Sequence, residues 1–286
     1  MMLYPAIITA AGLGTRLLPA TKEMPKEMLP IFTRSETGLA FKPLLQVIYE
    51  SLFDFGVREF YFIIGRGKRA IEDHFTPDYD FLSYLTEKSR DNARKDLEKF
   101  YRKIENSVMV WLNQPKPLGF GDAVLRAEKV IGQRKFIVHA GDMYVINNNN
   151  PLLCMDKIMG KMNAAAVLLL KRVKEPRKYG VALCEEVGGL LKITDVIEKP
   201  KRPPTNLAIV PIYMFRHYIF KALRKTPVSE NGELQLTDAI KRLIMDGYDV
   251  YAVELDENSY VVDIGTPEGY WHAINITFKY NKKVIK

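Results

Sequence analysis

The residues best suited to chemistry stand at the end of a short apolar run, Ala10-Ala11-Gly12-Leu13-Gly14-Thr15-Arg16. Small residues there let backbone amides approach an anion, and a cation follows at once, so the segment has the makings of a phosphate cradle. A Walker A loop would close on Gly-Lys-Ser or Gly-Lys-Thr, and a dinucleotide fingerprint would need glycine where Leu17 stands; neither applies. A lone Gly-x-Gly would serve equally as an ordinary tight turn. The continuation argues otherwise: Leu18-Pro19-Ala20-Thr21-Lys22 leads to Pro25-Lys26-Glu27-Met28-Leu29-Pro30, a proline-stiffened loop carrying Lys26 within reach of the first. A second apolar run ends on a carboxylate at His139-Ala140-Gly141-Asp142. Ligands of open α/β sheets sit at the carboxyl ends of strands, which makes Asp142 a first candidate metal ligand. An isolated Asp after a strand is also a common turn former or helix cap, so the assignment needs a partner.

The stretch Ala11 to Pro30 resembles the signature of the sugar-phosphate nucleotidyltransferases, and Lys26-Glu27-Met28-Leu29-Pro30 resembles their UTP–glucose-1-phosphate uridylyltransferase branch. By that resemblance the loop with Ala10, Ala11, Gly12, Gly14 and Thr15 holds a nucleoside triphosphate, which Arg16 and Lys26 neutralise. Gln114, followed by Gly119-Phe120-Gly121-Asp122-Ala123-Val124, is similar to the family's base-recognition segment, with Gly119 packing near the base. Glutamine offers a donor and acceptors to a base edge, although Gln114 taken alone would be read as a surface residue. Asp263, in Val261-Val262-Asp263-Ile264-Gly265-Thr266-Pro267, is the implied partner of Asp142 in holding Mg2+. Tyr179-Gly180-Val181 and Glu198-Lys199-Pro200 resemble the segments that grip a sugar 1-phosphate, Gly180 and Glu198 at the hydroxyls and Lys199 at the phosphate. Asn206 to Val210 with Tyr213, and Gly232 to Ile240, also resemble the uridylyltransferase pattern. Glu233 and Asp238 stay outside the catalytic set, because acids at a helix start serve the helix equally well.

The implied reaction transfers a uridylyl group from UTP to glucose 1-phosphate, giving UDP-glucose and pyrophosphate. The segment Pro115-Lys116-Pro117-Leu118 departs from the usual uridylyltransferase sequence, and thymidylyltransferases also carry Gln-Pro. Use of dTTP, alone or beside UTP, therefore stays open. The charged helical region from Asp80 to Ile104 favours the uridylyl branch, whose helical insertion it matches in place. Phe32 to Phe41 is longer than the usual link before Lys42-Pro43-Leu44. A non-catalytic nucleotide-sugar-binding regulatory subunit is the alternative from another class; the joint presence of Arg16, Lys26, Asp142, Lys199 and Asp263 speaks against it. Family members commonly form dimers or tetramers, so a homo-oligomer is expected.

The elements that must position these residues are legible as periodicity. Runs Ala6 to Ala10, Phe60 to Ile64, Val108 to Leu112 and Phe136 to Ala140 are short and apolar, separated by longer amphipathic stretches. Leu44 to Phe55 and Ala123 to Ile131 have helical spacing. Strands without polar alternation imply a parallel sheet covered on both faces. Past Pro151 a helix to about Met162 precedes strand-like runs Ala165 to Leu170, Val181 to Cys184, Leu191 to Ile197 and Leu207 to Phe215. Helices His217 to Lys225 and Leu236 to Met245, strands Val250 to Leu255 and Tyr260 to Asp263, and a final helix complete the pattern; Asn147 to Asn150 is expected to be an exposed turn. The expected fold class is α/β: a Rossmann-like mixed, mainly parallel sheet flanked by helices, as in the nucleotide-diphospho-sugar transferase fold. One domain over 1–286 is expected, with a nucleotide-binding half, 1–150, and a sugar-phosphate-binding half, 151–286.

Composition narrows the partners. The 286 residues are 47% hydrophobic, enough for one sizeable core. Lys and Arg number 42 against 34 Asp and Glu, a formal charge of +8, but the bases are scattered and interleaved with acids along stretches such as Glu87 to Glu105. That pattern suits small phosphorylated substrates rather than nucleic acid. Cys154 and Cys184 are isolated and read as buried free thiols. No apolar run approaches the roughly 20 residues that span a bilayer, and no signal-peptide pattern is apparent, so a soluble cytoplasmic protein without membrane partners is expected.

Overall fold

The computed structural model describes residues 4–35, 38–88, 90–147 and 149–283. Strand β1 (Ala6–Ala10) is followed by a hairpin of β2 (Pro30–Ser35) and β3 (Gly38–Pro43), then by β4 (Glu59–Ile64), β5 (Val108–Asn113) and β6 (Phe136–Ala140). Further along come β7 (Met143–Ile146), β8 (Ala166–Arg172), β9 (Val181–Val187), β10 (Leu190–Ile197), β11 (Leu207–Phe215), β12 (Val250–Glu254) and β13 (Tyr260–Asp263). Nine of these form one sheet in the order β5-β4-β1-β6-β11-β8-β12-β10-β9. The pairings make β1, β4, β5, β6, β8, β9 and β12 point one way, with β10 and β11 opposed, so the sheet is mixed but mainly parallel. It runs through both halves of the sequence, joined where β11 pairs with β6.

The lack of polar alternation in the strands has the expected cause. Ile7 packs among the helices Phe120–Leu125, Tyr218–Lys225 and Leu236–Met245, whereas its neighbour Ile8 packs with helices Leu44–Phe55, Asp91–Glu105 and Pro151–Lys161. Both are fully buried, as are Phe60 and Phe62 on β4, giving a helix–sheet–helix sandwich. Helix Leu44–Phe55 buries Leu45, Ile48, Tyr49 and Leu52 on one stripe and stops at Gly56, whose left-handed backbone (φ 118°) lets its N–H reach the Leu52 and Phe53 carbonyls.

Several expectations are corrected. The Phe32 to Phe41 link is the β2–β3 hairpin, its register running from Pro30 opposite Pro43 to Ser35 opposite Gly38. The Ala123 to Ile131 helix is two, Phe120–Leu125 and Glu128–Ile131. Tyr260 to Asp263 is a strand as expected, and it pairs with β7 in a two-stranded sheet outside the main one. Cys154 is exposed because Leu152, Met155 and Met159 take the buried face of its helix; Cys184 is half-buried. Asn149 and Asn150 are exposed and Asn147 half-buried, while Asn148 lies outside the described residues. Among the described residues no helix is long and apolar enough to cross a membrane.

Candidate active site

The triphosphate-loop candidates lie where β1 ends. Gly14 adopts φ 68°, and Thr21 Oγ1 donates to its carbonyl at 2.8 Å, closing the turn beneath exposed Arg16. Lys26 opens a 3-10 turn, and its Nζ lies 2.5 Å from Asp142 Oδ2. Burial alone would favour the neutral amine, but the Asp142 charge and hydrogen bond, with Glu27, outweigh it and hold the Lys26 pKa above the usual lysine range. The next residue anchors the turn: Glu27, 1% exposed, accepts from Lys68 Nζ at 2.8 Å. Burial pushes the Glu27 carboxyl up, opposed by Lys68 and Lys26.

The small sheet explains how the two aspartates meet. Asp263, the last residue of β13, pairs with Met143, the neighbour of Asp142, and Ile264 N donates to the Asp142 carbonyl at 3.2 Å. The Asp263 carboxyl is pushed up, first by burial and then by the Asp142 charge, against the Gly265 N–H, Lys26 and Arg16. Arg16 comes close enough that a Cβ on Gly265 would sit 3.1 Å from its Nη2 and 3.0 Å from Asp263 Oδ1. The Asp263 carboxyl, its charge disfavoured by Asp142, shares the cleft with Asp142 and with Lys26 and Arg16, a setting that suits a hard divalent cation. Magnesium usually takes one or two carboxylates and leaves its remaining positions to water and phosphate. Among the described residues no group of three or more His, Cys, Asp or Glu side chains is placed to hold a metal ion.

On the opposite flank, Gln114 follows β5 and is 5% exposed, not a surface residue. Its Nε2 donates to the Gly119 carbonyl at 3.0 Å and to Asp122 Oδ2 at 2.8 Å. Gly119 has φ 101°, and a Cβ there would stand 2.6 Å from the Leu234 carbonyl oxygen, so only glycine fits. That close approach is stitched by Gly121 N to Leu234 O (2.8 Å) and Leu234 N to Leu118 O (2.7 Å).

The third wall comes from the second half of the chain. Glu198 Oε2 accepts from Thr237 Oγ1 at 2.7 Å, and Glu198 Oε1 lies 3.1 Å from Lys199 Nζ. Lys199 adopts φ 40°, a left-handed conformation that costs a non-glycine residue roughly 1–3 kcal/mol and is held here by its N–H on the Tyr179 carbonyl at 3.2 Å. A Cβ on Gly180 would stand 3.0 Å from Thr237 Oγ1 and 3.1 Å from Glu198 Oε2.

These walls enclose one cleft of about 470 Å³ lined by Ala11, Gly12, Arg16, Lys26, Gln114, Gly119, Asp142, Gly180, Glu198, Lys199 and Asp263. Ala10, Gly14 and Thr15 are not on its surface; Ala10 is buried at the end of β1, and the other two shape the turn. Sequence reasoning passed over Glu27, Lys68, Asp122, Arg126 and Thr237. Only Lys68 carried a local signal, standing after Gly65-Arg66-Gly67 beyond an apolar strand, as Arg16 stands after its own glycines.

A cleft that gathers cations and two carboxylates beside strand ends of a mainly parallel sheet suits a phosphate-handling transferase. The chain belongs to the nucleotidyl transferase family, whose model matches residues 5–279. It is 33% identical to a UTP–glucose-1-phosphate uridylyltransferase of Pseudomonas aeruginosa, covering 100% of this chain and 99% of that protein. A Bacillus subtilis protein of the same name is 35% identical, over 93% of this chain and 87% of its own. A solved structure of UDP-glucose pyrophosphorylase complexed with UDP-glucose superposes with a TM-score of 0.81 at 31% identity, covering 98% of this chain and 100% of that one.

Proposed function

We propose that the protein transfers a uridylyl group from UTP to glucose 1-phosphate, forming UDP-glucose and releasing pyrophosphate. The observation that carries this reading is the convergence of Arg16, Lys26 and Lys199 with Asp142 and Asp263 on one cleft, between Gln114 and the Glu198–Thr237 pair. A phosphate oxygen of the sugar attacks the α-phosphorus in line and pyrophosphate leaves. No general base is needed, because a phosphate monoester is already anionic near neutral pH. The barrier lies in bringing two anions together and in the charge that builds at the transition state.

Arg16 and Lys26 hold the triphosphate, Lys199 holds the sugar phosphate, and Glu198, oriented by Thr237, accepts from sugar hydroxyls. Gln114 and Gly119 hold the base. When bound, magnesium would supply charge neutralisation at phosphate oxygens, with Asp142 and Asp263 as its protein ligands. Lys26 in contact with Asp142 supports this placement, since a cation already sits on the first of those carboxylates. A cytoplasmic setting goes with these substrates. The test is pyrophosphate release with UTP, glucose 1-phosphate and Mg2+, run beside dTTP. Release with UTP supports the reading; binding of UTP without release at high protein concentration leaves a nucleotide-binding module, and faster release with dTTP makes the protein a thymidylyltransferase.

A further inference from the structure

The amide of Gln114 has no freedom in its orientation. Both hydrogens of its Nε2 are taken, by the Gly119 carbonyl at 3.0 Å and by Asp122 Oδ2 at 2.8 Å, and neither of those oxygens can donate. Turning the amide over would set Oε1 against two acceptors in a place where Gln114 is 5% and Asp122 9% exposed. Asp122 is itself pinned from behind by Arg126, with Nη2 2.9 Å from Oδ1 and Nε 3.2 Å from Oδ2. Among the described residues Oε1 of Gln114 meets no donor, and Gln114 lines the cleft beside Gly119. What the protein offers the base from this side chain is therefore an acceptor alone.

We propose that Asp122 and Arg126 are positioning residues that fix the polarity of the Gln114 amide and thereby the choice of uracil over cytosine; this rests on the nucleotidyl-transfer reading above. Uracil carries a single donor on its pairing edge, the N3–H, and a lone acceptor matches it. The equivalent position of cytosine is a bare ring nitrogen, an acceptor, so Oε1 would face another lone pair. Thymine has the same N3–H, so this device leaves UTP and dTTP unseparated.

Calorimetric binding of UTP and CTP to the wild type, Asp122→Ala and Arg126→Ala, beside their pyrophosphate release, tests this. The wild type is expected to prefer UTP by at least roughly a hundredfold, and Asp122→Ala to lose roughly ten- to a hundredfold of that preference, since only the Gly119 carbonyl then opposes turning the Gln114 amide over. Arg126→Ala, at a partly exposed side chain, keeps the fold and is expected to lose several-fold. A purely structural role would weaken both nucleotides alike. An unchanged CTP-to-UTP ratio in Arg126→Ala, or in a folded Asp122→Ala, overturns the proposal even where UTP is turned over normally. A ratio that relaxes as expected, in a protein that releases no pyrophosphate, upholds the proposal while defeating the transfer reaction.

Discussion

Lys26 Nζ lies 2.5 Å from Asp142 Oδ2 although 116 positions of sequence separate the 3-10 turn that carries Lys26 from the loop after β6 that carries Asp142. The contact couples the cation proposed to bind the triphosphate to the carboxylate proposed to hold the metal. Each stabilises the other's charge before any substrate arrives, so the charged set needs little reorganisation on binding. Lys26→Ala should therefore lower kcat by roughly a hundredfold or more, equivalent to about 3–4 kcal/mol of barrier. Steady-state pyrophosphate release checks it, and a loss below tenfold would take Lys26 out of the catalytic set.

Glu27 and Lys68, at 1% and 7% side-chain exposure, make a buried pair directly behind Lys26. Removing one partner leaves an uncompensated buried charge. Lys68→Met should cost about 3 kcal/mol of stability, and adding Glu27→Leu should return part of it. Urea unfolding of the single and double variants reads this; a single variant as stable as wild type contradicts it.

Thr237→Ala removes the hydroxyl that donates to Glu198 Oε2 at 2.7 Å. The expected result is a roughly tenfold rise in KM for glucose 1-phosphate with KM for UTP unchanged, since hydrogen bonds to charged groups are worth about 1.5–3 kcal/mol. Equal effects on both substrates would mean that the hydroxyl supports the fold rather than the sugar wall.

His139 is buried and His74 half-buried, and loss of solvent brings each ring from an ordinary 6.5 down to about 4. Protons therefore bind the unfolded chain more readily, and stability falls as pH drops from about 6.5 toward 4, by up to about 1.4 kcal/mol per pH unit for each ring. Between pH 7 and 5.5 urea-unfolding free energies should decline, and His74→Gln should show a shallower slope. A flat profile in the wild type would contradict the assignment.

How much of this was legible in the sequence depends on how local each cause is. The first loop, Lys26 and Asp142 were readable because a glycine turn, a proline-stiffened loop and a strand-ending acid are short-range features. Strand and helix positions were likewise set by apolar periodicity. The β2–β3 hairpin escaped because what stabilises it is remote: Tyr270 donates to the Pro30 carbonyl at 3.0 Å, and Asn281 to that of Phe32 at 3.0 Å, both from the last helix. Asp263 entered only by resemblance, because the β7–β13 pairing that brings it to Asp142 leaves no local trace. Thr237 and Asp122 touch other side chains of the site, at Glu198 and Gln114, and their own surroundings in the sequence give no hint of it, whereas Lys68 stands after a glycine pair that could have drawn notice.

The most direct measurement compares pyrophosphate release from UTP and glucose 1-phosphate by wild type and by Asp142→Ala, matched for folding by thermal melts. Wild type should release pyrophosphate together with UDP-glucose in equal amounts, and Asp142→Ala should fall by roughly a hundredfold or more while melting cooperatively. Near-normal release by Asp142→Ala would contradict the claim that these charges converge to let two phosphates react.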